Sequence, residues 1–397
     1  MKKVCGLDIH KDTIFMCILK ENNEATLKEY TTLTTGIESL KELLLEVGVE
    51  EIAMESTGIY WIPIWRILGD SFTLKLVNPY YIKQVPGRKT DVKDAQWIAT
   101  LLQKGLIKGS YIPEEHIREL REYERKYVSL CGQISRVERE IDNQLTKCNI
   151  RITSFASQTG SLSVMNVVKA IIEGERRAEE LEEHVHGRIR NKYKEKITEA
   201  LTGNIKEVDV FLLRQSYEQL KMFERQQEEL VKVMEAICEK YYKEELELLC
   251  TIAGVQKLSA IEIIAEIGAD LSSFASASHL TSWAGLRPRN DESAGKIKSK
   301  RITHGNKYLR RILVQCAWAV TRKRDCWLRM KFEDLCKRKS KKKALIAIAR
   351  KLLVIIWNIL TKHEVYRDYQ PKESKRIILK KIVYHKKQIE NLKLKVV

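Results

Sequence analysis

Residues 3–20, KVCGLDIHKDTIFMCILK, contain the pattern that decides the fold of the first part of the chain. Two short apolar runs, at 3–9 and 13–20, are separated by a polar turn, and a third run follows at 26–32. Runs that are rich in Val, Ile, Leu, Phe and Thr and bounded by polar residues predict adjacent strands. The sequence therefore predicts three consecutive strands at the start of the chain.

Strands then alternate with helices. Two further strands are predicted at 52–55 and 73–77, and helical periodicity predicts helices at 36–47, 60–68 and 91–106. Three adjacent strands followed by this alternation indicate a mixed α/β sheet that is covered by helices. Ligands of such sheets gather at the ends of strands.

Four carboxylates stand at the positions where a ligand of this sheet is expected. Asp8 and Glu55 directly follow apolar strand residues, and Asp91 and Asp94 lie three residues apart at a helix start, which puts them on one helix face. Carboxylates from separate elements repel one another unless a cation holds them, and Mg²⁺ suits oxygen donors best. The alternative for each residue alone is a turn or a helix cap.

Two cations precede the helix that carries the second carboxylate pair. Arg88 and Lys89 would either neutralise the metal site or hold a phosphate.

The distribution of charge indicates where nucleic acid binds. The 397 residues predict two or three domains, and the net charge is +18. Residues 287–397 contain 33 Lys and Arg against 9 Asp and Glu, a net charge of +24, which leaves −6 for residues 1–286. A basic region of this size predicts a nucleic-acid-binding surface, the alternative being a solubilising tail.

Other features of the sequence bear on where in the cell the protein is found. Nine cysteines occur without a CxxC pair, which fits a reducing cytoplasm better than a zinc site or a disulfide framework. A strand-like apolar run follows almost directly after Met1, so we expect no signal peptide. The apolar run 344–360 is interrupted by Arg350 and Lys351, so we expect no membrane span.

Heptad patterns dominate the middle of the chain. Apolar residues alternate at spacings of three and four over 120–141 and again over 213–237. The segments predict an antiparallel coiled coil, within one chain or between two, and ordinary bundle helices explain them equally well. Residues 150–205 have a weaker helical pattern.

Residues 246–268 predict a helix, a turn at Gly254 and a second helix. This resembles a helix-hairpin-helix, in which backbone N–H groups bind phosphate and glycine permits close approach. A plain αα-hairpin is the alternative.

Four motifs in order resemble those of the insertion-sequence 110 family of transposases. They are GLDIHK (6–11), MESTGIYW (54–61), KTDVKDA (89–95) and GLRPRNDESAGKIKSKRITHGNKYLRRIL (285–313).

The resemblance implies a domain layout and a set of site residues. It implies an RNase H-like (RuvC-like) α/β domain at 1–112, a helical coiled-coil connector at 113–245, and a mainly α C-terminal transposase domain at 246–369, which would contain the helix-hairpin-helix. The basic tail at 370–397 resembles no part of the family. The metal-binding carboxylates of the family correspond to Asp8, Glu55, Asp91 and Asp94. The serine that forms a covalent link with DNA corresponds to Ser293, in Ser-Ala-Gly-Lys rather than a word with two glycines.

The resemblance also implies a function. It implies a DNA transposase that cuts and rejoins donor and target DNA through a serine intermediate at a Mg²⁺-dependent composite site, guided by a structured RNA from the element. Such a protein would act as a homo-oligomer, a dimer or a tetramer on DNA, in the cytoplasm of a prokaryotic cell and associated with the nucleoid. We expect these residues to contact nucleic acid: Arg88, Lys89, Gly254, Arg287, Arg289, Lys296, Lys298, Arg301, Arg310 and Arg311.

Two rival functions remain open at this point. One is a metal-dependent junction nuclease that hydrolyses DNA without a serine intermediate. The other is a non-enzymatic protein that binds DNA or RNA.

Overall fold

The computed structural model describes residues 3–20, 24–56, 58–79, 91–107, 109–288, 291–293, 296–299, 301–368, 382–386 and 389, with the backbone alone at 91–93, 291–293 and 296–299. The chain folds as two compact units, Met1–Pro113 (unit 1) and Glu114–Val397 (unit 2). The predicted basic tail falls almost wholly outside the described residues, and the finer division of unit 2 at 245/246 stays a prediction.

Unit 1 is built on a five-stranded sheet in the order β3-β2-β1-β4-β5. Its strands are β1 (Val4–Ile9), β2 (Thr13–Leu19), β3 (Ala25–Thr31), β4 (Glu51–Glu55) and β5 (Thr73–Val77). Strands β1 to β3 pair antiparallel, whereas β4 is parallel to β1 and β5 is parallel to β4. The predicted mixed sheet, with its three adjacent strands, is confirmed.

Helices cover both faces of this sheet. They are α1 (Thr34–Val47), α2 (Trp61–Leu68) and α3 (Asp91–Gln103). Helices α1 and α2 pack on the face that carries Leu7 and Met54, and α3 packs on the face that carries Val4 and Ala53. The neighbouring strands β1 and β2 are therefore buried on both sides, which explains why their sequences are almost continuously apolar. The edge strand β3 is mostly exposed and more polar.

Glycine at position 6 lets α3 lie directly on β1. A Cβ atom at Gly6 would stand only 2.5 Å from the backbone nitrogen of Ala99 and would also meet the carbonyl oxygen of Ala95. Any side chain at position 6 would therefore push the helix away from the strand.

Two long helices form the frame of unit 2. Helix α4 (Glu115–Lys147) packs against α9 (Glu207–Tyr241). The rings of His116 and Tyr241 stack at a centroid distance of 3.7 Å, and Gln144 donates a hydrogen bond of 2.6 Å to Asp209. Since the start of each helix lies beside the end of the other, the pair is antiparallel. The two heptad segments thus meet within one chain, and coiled-coil geometry in the strict sense stays a prediction.

Shorter helices connect the long pair. They are a 3₁₀ turn (Ile152–Ser154), α5 (Leu162–Glu173), α6 (Ala178–Glu183), α7 (Gly187–Tyr193) and α8 (Glu195–Leu201). Their apolar side chains share a core with one end of the long pair, where Ile141 and Leu213 lie.

The rest of unit 2 is mainly helical around a second core. Its elements are α10 (Lys243–Cys250), α11 (Lys257–Ile267), α12 (Ala277–Trp283), β6 (Asp291–Ser293), β7 (Lys296–Ser299), α13 (Lys307–Arg322), α14 (Trp327–Cys336) and α15 (Lys341–Lys362). The other end of the long pair contributes Leu120 and Met234 to this core. Both cores therefore depend on the same two helices.

Helix α15 is the apolar segment in which Arg350 and Lys351 stand. At 22 residues and a mean hydropathy of 1.9 in its most apolar window, it is long and apolar enough to cross a membrane by length and composition. Half of that window is buried inside the protein, and Leu352, Leu353 and Ile356 pack in the second core. This burial is that of a core helix, so the length and composition of α15 are weak evidence for a span.

Helices α10 and α11 and the turn between them account for Gly254 without a ligand. The residue has a φ of 85°, and a Cβ atom there would lie 2.8 Å from the carbonyl oxygen of Cys316 and 2.6 Å from Cγ2 of Val320. Glycine is thus required by backbone conformation and by the approach of α13. The predicted helix, turn and second helix are present, whereas a helix-hairpin-helix that binds phosphate stays a prediction.

Candidate active site

Asp8 and Glu55 lie next to each other at one end of the sheet. Leu7 pairs with Met54 in the parallel β1–β4 ladder, so the residues that follow them, Asp8 and Glu55, are neighbours. Both belong to the face covered by α3, because side chains alternate along a strand and Val4 and Ala53 face that helix. Asp8 is buried, with only 8% of its surface exposed.

Helix α3 brings its first turn to the same end of the sheet. The side chain of Gln103, its last residue, donates a hydrogen bond of 3.2 Å to the carbonyl oxygen of Lys20. Lys20 follows Leu19, which pairs with the first residue of β1. The helix therefore runs antiparallel to β1, and its start, with Asp91 and Asp94, is directed to the end where Asp8 lies.

The donor chemistry at this end of the sheet fits Mg²⁺. Asp8, Glu55 and Asp94 offer carboxylate oxygens, the ligands that this ion prefers. His10 adds a ring nitrogen, with Nε2 lying 3.3 Å from Oδ2 of Asp8. The side chain of Asp91 lies outside the described residues. Among the side chains that are described, no group of three His, Cys, Asp or Glu is close enough to hold a metal.

Ser293 lies on a β-hairpin of unit 2. Strands β6 and β7 pair antiparallel, and Ser293, the last residue of β6, is opposite Lys296. Further along, Pro288 bridges to Ile302. The serine therefore stands at the closed end of a small two-stranded element.

A close approach of two backbones anchors the open end of this hairpin. The N–H of Thr303 donates a 3.0 Å hydrogen bond to the carbonyl of Arg287. A Cβ atom at Gly285, which has a φ of 70°, would stand 2.9 Å from the nitrogen of Gly305. Glycine at 285 is thus needed for the chain entering the hairpin to pass against the chain leaving it.

Family comparisons agree with the motifs of both units. Residues 5–150 match the DEDD transposase model of the IS110 class, described as a transposase, and residues 246–333 match the model described as transposase IS116/IS110/IS902 family.

The chain belongs to the IS110 family of transposases.

Similarity to individual proteins covers different lengths of this transposase. The chain is 24% identical over 380 residues to the transposase for insertion sequence element IS1111A of Coxiella burnetii, covering 92% of this chain and 91% of that protein. It is 36% identical over 126 residues to the pilin gene-inverting protein of Moraxella bovis, covering 30% of this chain and 38% of that protein. T. thermophilus RuvC in complex with a Holliday junction substrate matches over 28% of this chain and all of RuvC, at 13% identity and a TM-score of 0.21.

The basic residues expected to bind nucleic acid have different surroundings in this transposase. Arg287 and Arg301 are exposed at the open end of the hairpin, and Arg310 is half-buried. Arg88, Lys89 and Arg289 lie outside the described residues, and Lys296 and Lys298 are described by their backbone alone. Arg311 instead points inward, where Nη2 lies 2.5 Å from Oε1 of Glu262 and 3.4 Å from Oε1 of Glu124.

Arg311 belongs to a buried carboxylate cluster that sequence reasoning missed. Glu124 of α4 and Glu262 and Glu266 of α11 are all less than 4% exposed. Arg125 lies 3.4 Å from Glu266, and these ion pairs join α4, α11 and α13. The available signal was the spacing of Glu262 and Glu266, four residues apart within the otherwise apolar run AIEIIAEI, because buried glutamates are rare unless paired.

The cluster predicts that the stability of the transposase depends on pH. Burial raises the pKa of Glu124 from 4.5 to about 7, and the charges of Glu266 and Glu262 act in the same direction, against Arg311 and Arg125. Since its pKa is higher in the folded state than in the unfolded state, folded protein holds the proton more tightly between these two values. The free energy of unfolding should therefore fall as pH rises through this window, by up to about 3 kcal/mol.

Glu124→Gln should remove the contribution of Glu124 to that pH dependence, because the amide keeps the shape and cannot ionise. Burial also raises the pKa of Glu262, so a smaller dependence should remain. Urea denaturation at pH 5, 6, 7 and 8 measures the free energy of unfolding of both proteins. The variant should be more stable than the wild type by the largest amount at pH 8. Glu119→Gln is the matched control, since Glu119 lies in the same helix and its side chain is 54% exposed. A Glu124→Gln curve parallel to that of the wild type would contradict the assignment.

Proposed function

We propose that this transposase cuts and rejoins DNA through a covalent serine–phosphodiester intermediate. Unit 1 would supply the metal-binding carboxylates, and unit 2 would supply the nucleophile Ser293. The observation that supports this most directly is the convergence of Asp8, Glu55 and the first turn of α3 at one end of the sheet. An acidic metal site and a basic C-terminal region together suit phosphodiester chemistry.

Four carboxylates would hold the ion: Asp8, Glu55, Asp91 and Asp94. When bound, Mg²⁺ would polarise a phosphoryl oxygen and stabilise negative charge on the attacking and leaving oxygens. In the α/β sheet, the rigid β1–β4 ladder fixes Asp8 and Glu55 relative to each other, so two ligands are preorganised.

Ser293 would perform the covalent step. Its Oγ attacks the phosphorus of a DNA phosphodiester and gives up its proton to a base or to solvent. The P–O bond to one deoxyribose breaks, and the released oxygen takes up a proton. Attack by the hydroxyl of a second DNA end reverses these bond changes and frees the serine, so the energy of the phosphodiester bond is kept for rejoining.

The family resemblance and the charge support the choice of partners. A structured RNA encoded by the element would select donor and target DNA by base pairing, and the +24 charge of residues 287–397 suits a second polyanion. We also propose a homo-oligomer, a dimer that becomes a tetramer on DNA.

Recombination by the purified protein tests this function. The protein is combined with RNA transcribed from the DNA flanking its reading frame, and with plasmids that carry donor and target sites. Recombinant junctions should form with Mg²⁺, disappear with EDTA and return when Mg²⁺ is restored, while DNA affinity changes little. Activity that is indifferent to EDTA would exclude the metal site. Hydrolysed ends without recombinant junctions would favour a junction nuclease.

A further inference from the structure

A groove beside the hairpin of unit 2 has the chemistry of a nucleotide-binding site. It has a volume of about 530 Å³ and is lined by aromatic and cationic side chains, chiefly Arg125, Trp283, His304, Lys307 and Tyr308. A cavity of this size accepts a small organic group rather than a metal ion alone. Its side chains are distinct from the carboxylates proposed to hold the metal ion and from Ser293.

The aromatic side of the groove is exposed and held in place. Trp283 is 42% exposed, and its ring rests against Phe274 in a T-shaped contact with centroids 5.4 Å apart. His304 is exposed in the segment that leaves the hairpin. A large, supported aromatic face that stays open to solvent offers a platform on which a base can stack.

The cationic side of the groove is held in place by the buried carboxylate cluster that contains Glu266. The guanidinium of Arg125 lies over the ring of Tyr308, 4.8 Å from its centroid, and its Nε lies 3.4 Å from the buried carboxylate of Glu266. The ammonium of Lys307 lies 5.0 Å from the same ring centroid. Two cations are thus gathered at one wall, where they could pair with a phosphate.

Asn306 fixes the turn on which this wall is built. Its side-chain oxygen accepts hydrogen bonds from the backbone N–H groups of Tyr308 (2.9 Å) and Leu309 (3.0 Å) and so caps α13. Its amide nitrogen donates to Glu266. The groove wall is therefore tied to α11 through a buried carboxylate, which favours a preformed site over a mobile surface.

We propose that this groove binds one unpaired nucleotide of the DNA strand near the cut, with the base stacked on Trp283 and the phosphate held by Arg125 and Lys307. The inference rests on the proposed function, because it assumes that Ser293 acts on DNA. Pro288, at the open end of the hairpin, is five residues from Ser293. Five residues of extended chain span at most about 17 Å, which is the length of about five nucleotide steps of a DNA strand. Stacking on an aromatic platform requires an exposed base face, so the nucleotide must be unpaired.

Binding of a fluorescent single-stranded oligodeoxynucleotide and of its blunt duplex tests the groove. Trp283→Ala should weaken single-strand binding about tenfold and leave duplex binding within about twofold, since a stacked base is lost only from the single strand. Lys307→Gln, a change at an exposed side chain, should weaken both and reduce the salt dependence of binding. Trp283→Phe, which keeps an aromatic face, should retain most of the affinity.

Trp318→Ala is the matched control, because Trp318 is 47% exposed on α13 and does not line the groove. Equal single-strand affinity in Trp283→Ala and Trp318→Ala would overturn the proposal, as would an equal loss for duplex. A larger loss for single-stranded RNA than for DNA would overturn the assignment to the DNA strand. Ser293→Ala should bind the oligonucleotide like the wild type, so failure of the groove and failure of the serine mechanism give different results.

Discussion

Asp8→Asn should reduce DNA cleavage and strand transfer by at least about a thousandfold, which corresponds to about 4 kcal/mol of transition-state stabilisation. The substitution removes one negative charge at the buried end of β1 and keeps the shape of the side chain. The neighbouring carboxylate of Glu55 would then be left to hold the ion with the residues of α3. Cleavage is measured on denaturing gels over a range of Mg²⁺ concentrations, and the loss should persist when Mg²⁺ is raised.

Three measurements separate this effect from misfolding. DNA affinity of Asp8→Asn should stay close to that of the wild type, because the basic surface is untouched, and its unfolding midpoint should not fall. Asp12→Asn is the matched control, since Asp12 is an exposed carboxylate in the turn after β1. Full cleavage by Asp8→Asn would refute the metal site at this end of the sheet.

The architecture of unit 1 was predictable because its signals are local. Each strand is an apolar run with polar turns, and β3 occupies 25–31 where 26–32 was predicted. The helix predicted at 91–106 begins at Asp91 and ends earlier, at Gln103. Consecutive strands and short connections leave few alternatives for such a sheet. What the sequence could not show is the direction of α3 across β1, which depends on the long-range contacts of Gly6 and Gln103.

The hairpin that carries Ser293 was not predicted, for a physical reason. Its strands, DES and KIKS, are polar and lack the apolar alternation that marks a half-buried strand. Their pairing depends on the two glycines at 285 and 305, which are twenty residues apart and meet only in the folded unit. The carboxylate cluster around Glu124 was also not predicted, because its partner Arg311 is 187 residues away in the sequence.

Ser293→Ala should abolish both the covalent protein–DNA adduct and strand transfer, with a loss of at least about a thousandfold in each. The hydroxyl is the atom that bonds to phosphorus in the proposed step, and alanine offers no replacement. The wild-type protein is incubated with a labelled DNA substrate on which the second, rejoining step is blocked. It should give a band of protein-linked DNA on a denaturing gel. The variant should give none, while its DNA affinity stays unchanged.

Ser299→Ala provides the matched control, because Ser299 lies on the partner strand of the same hairpin and pairs with Asp291. That variant should form the adduct normally if the hairpin itself is intact. Cleavage that survives in Ser293→Ala would mean that water is the nucleophile, and the carboxylates of unit 1 would then serve a hydrolytic nuclease. Loss of the adduct in Ser293→Ala, together with a loss of cleavage in Asp8→Asn that persists at raised Mg²⁺ and with retained DNA affinity in both variants, would instead assign the two units their separate parts in one reaction.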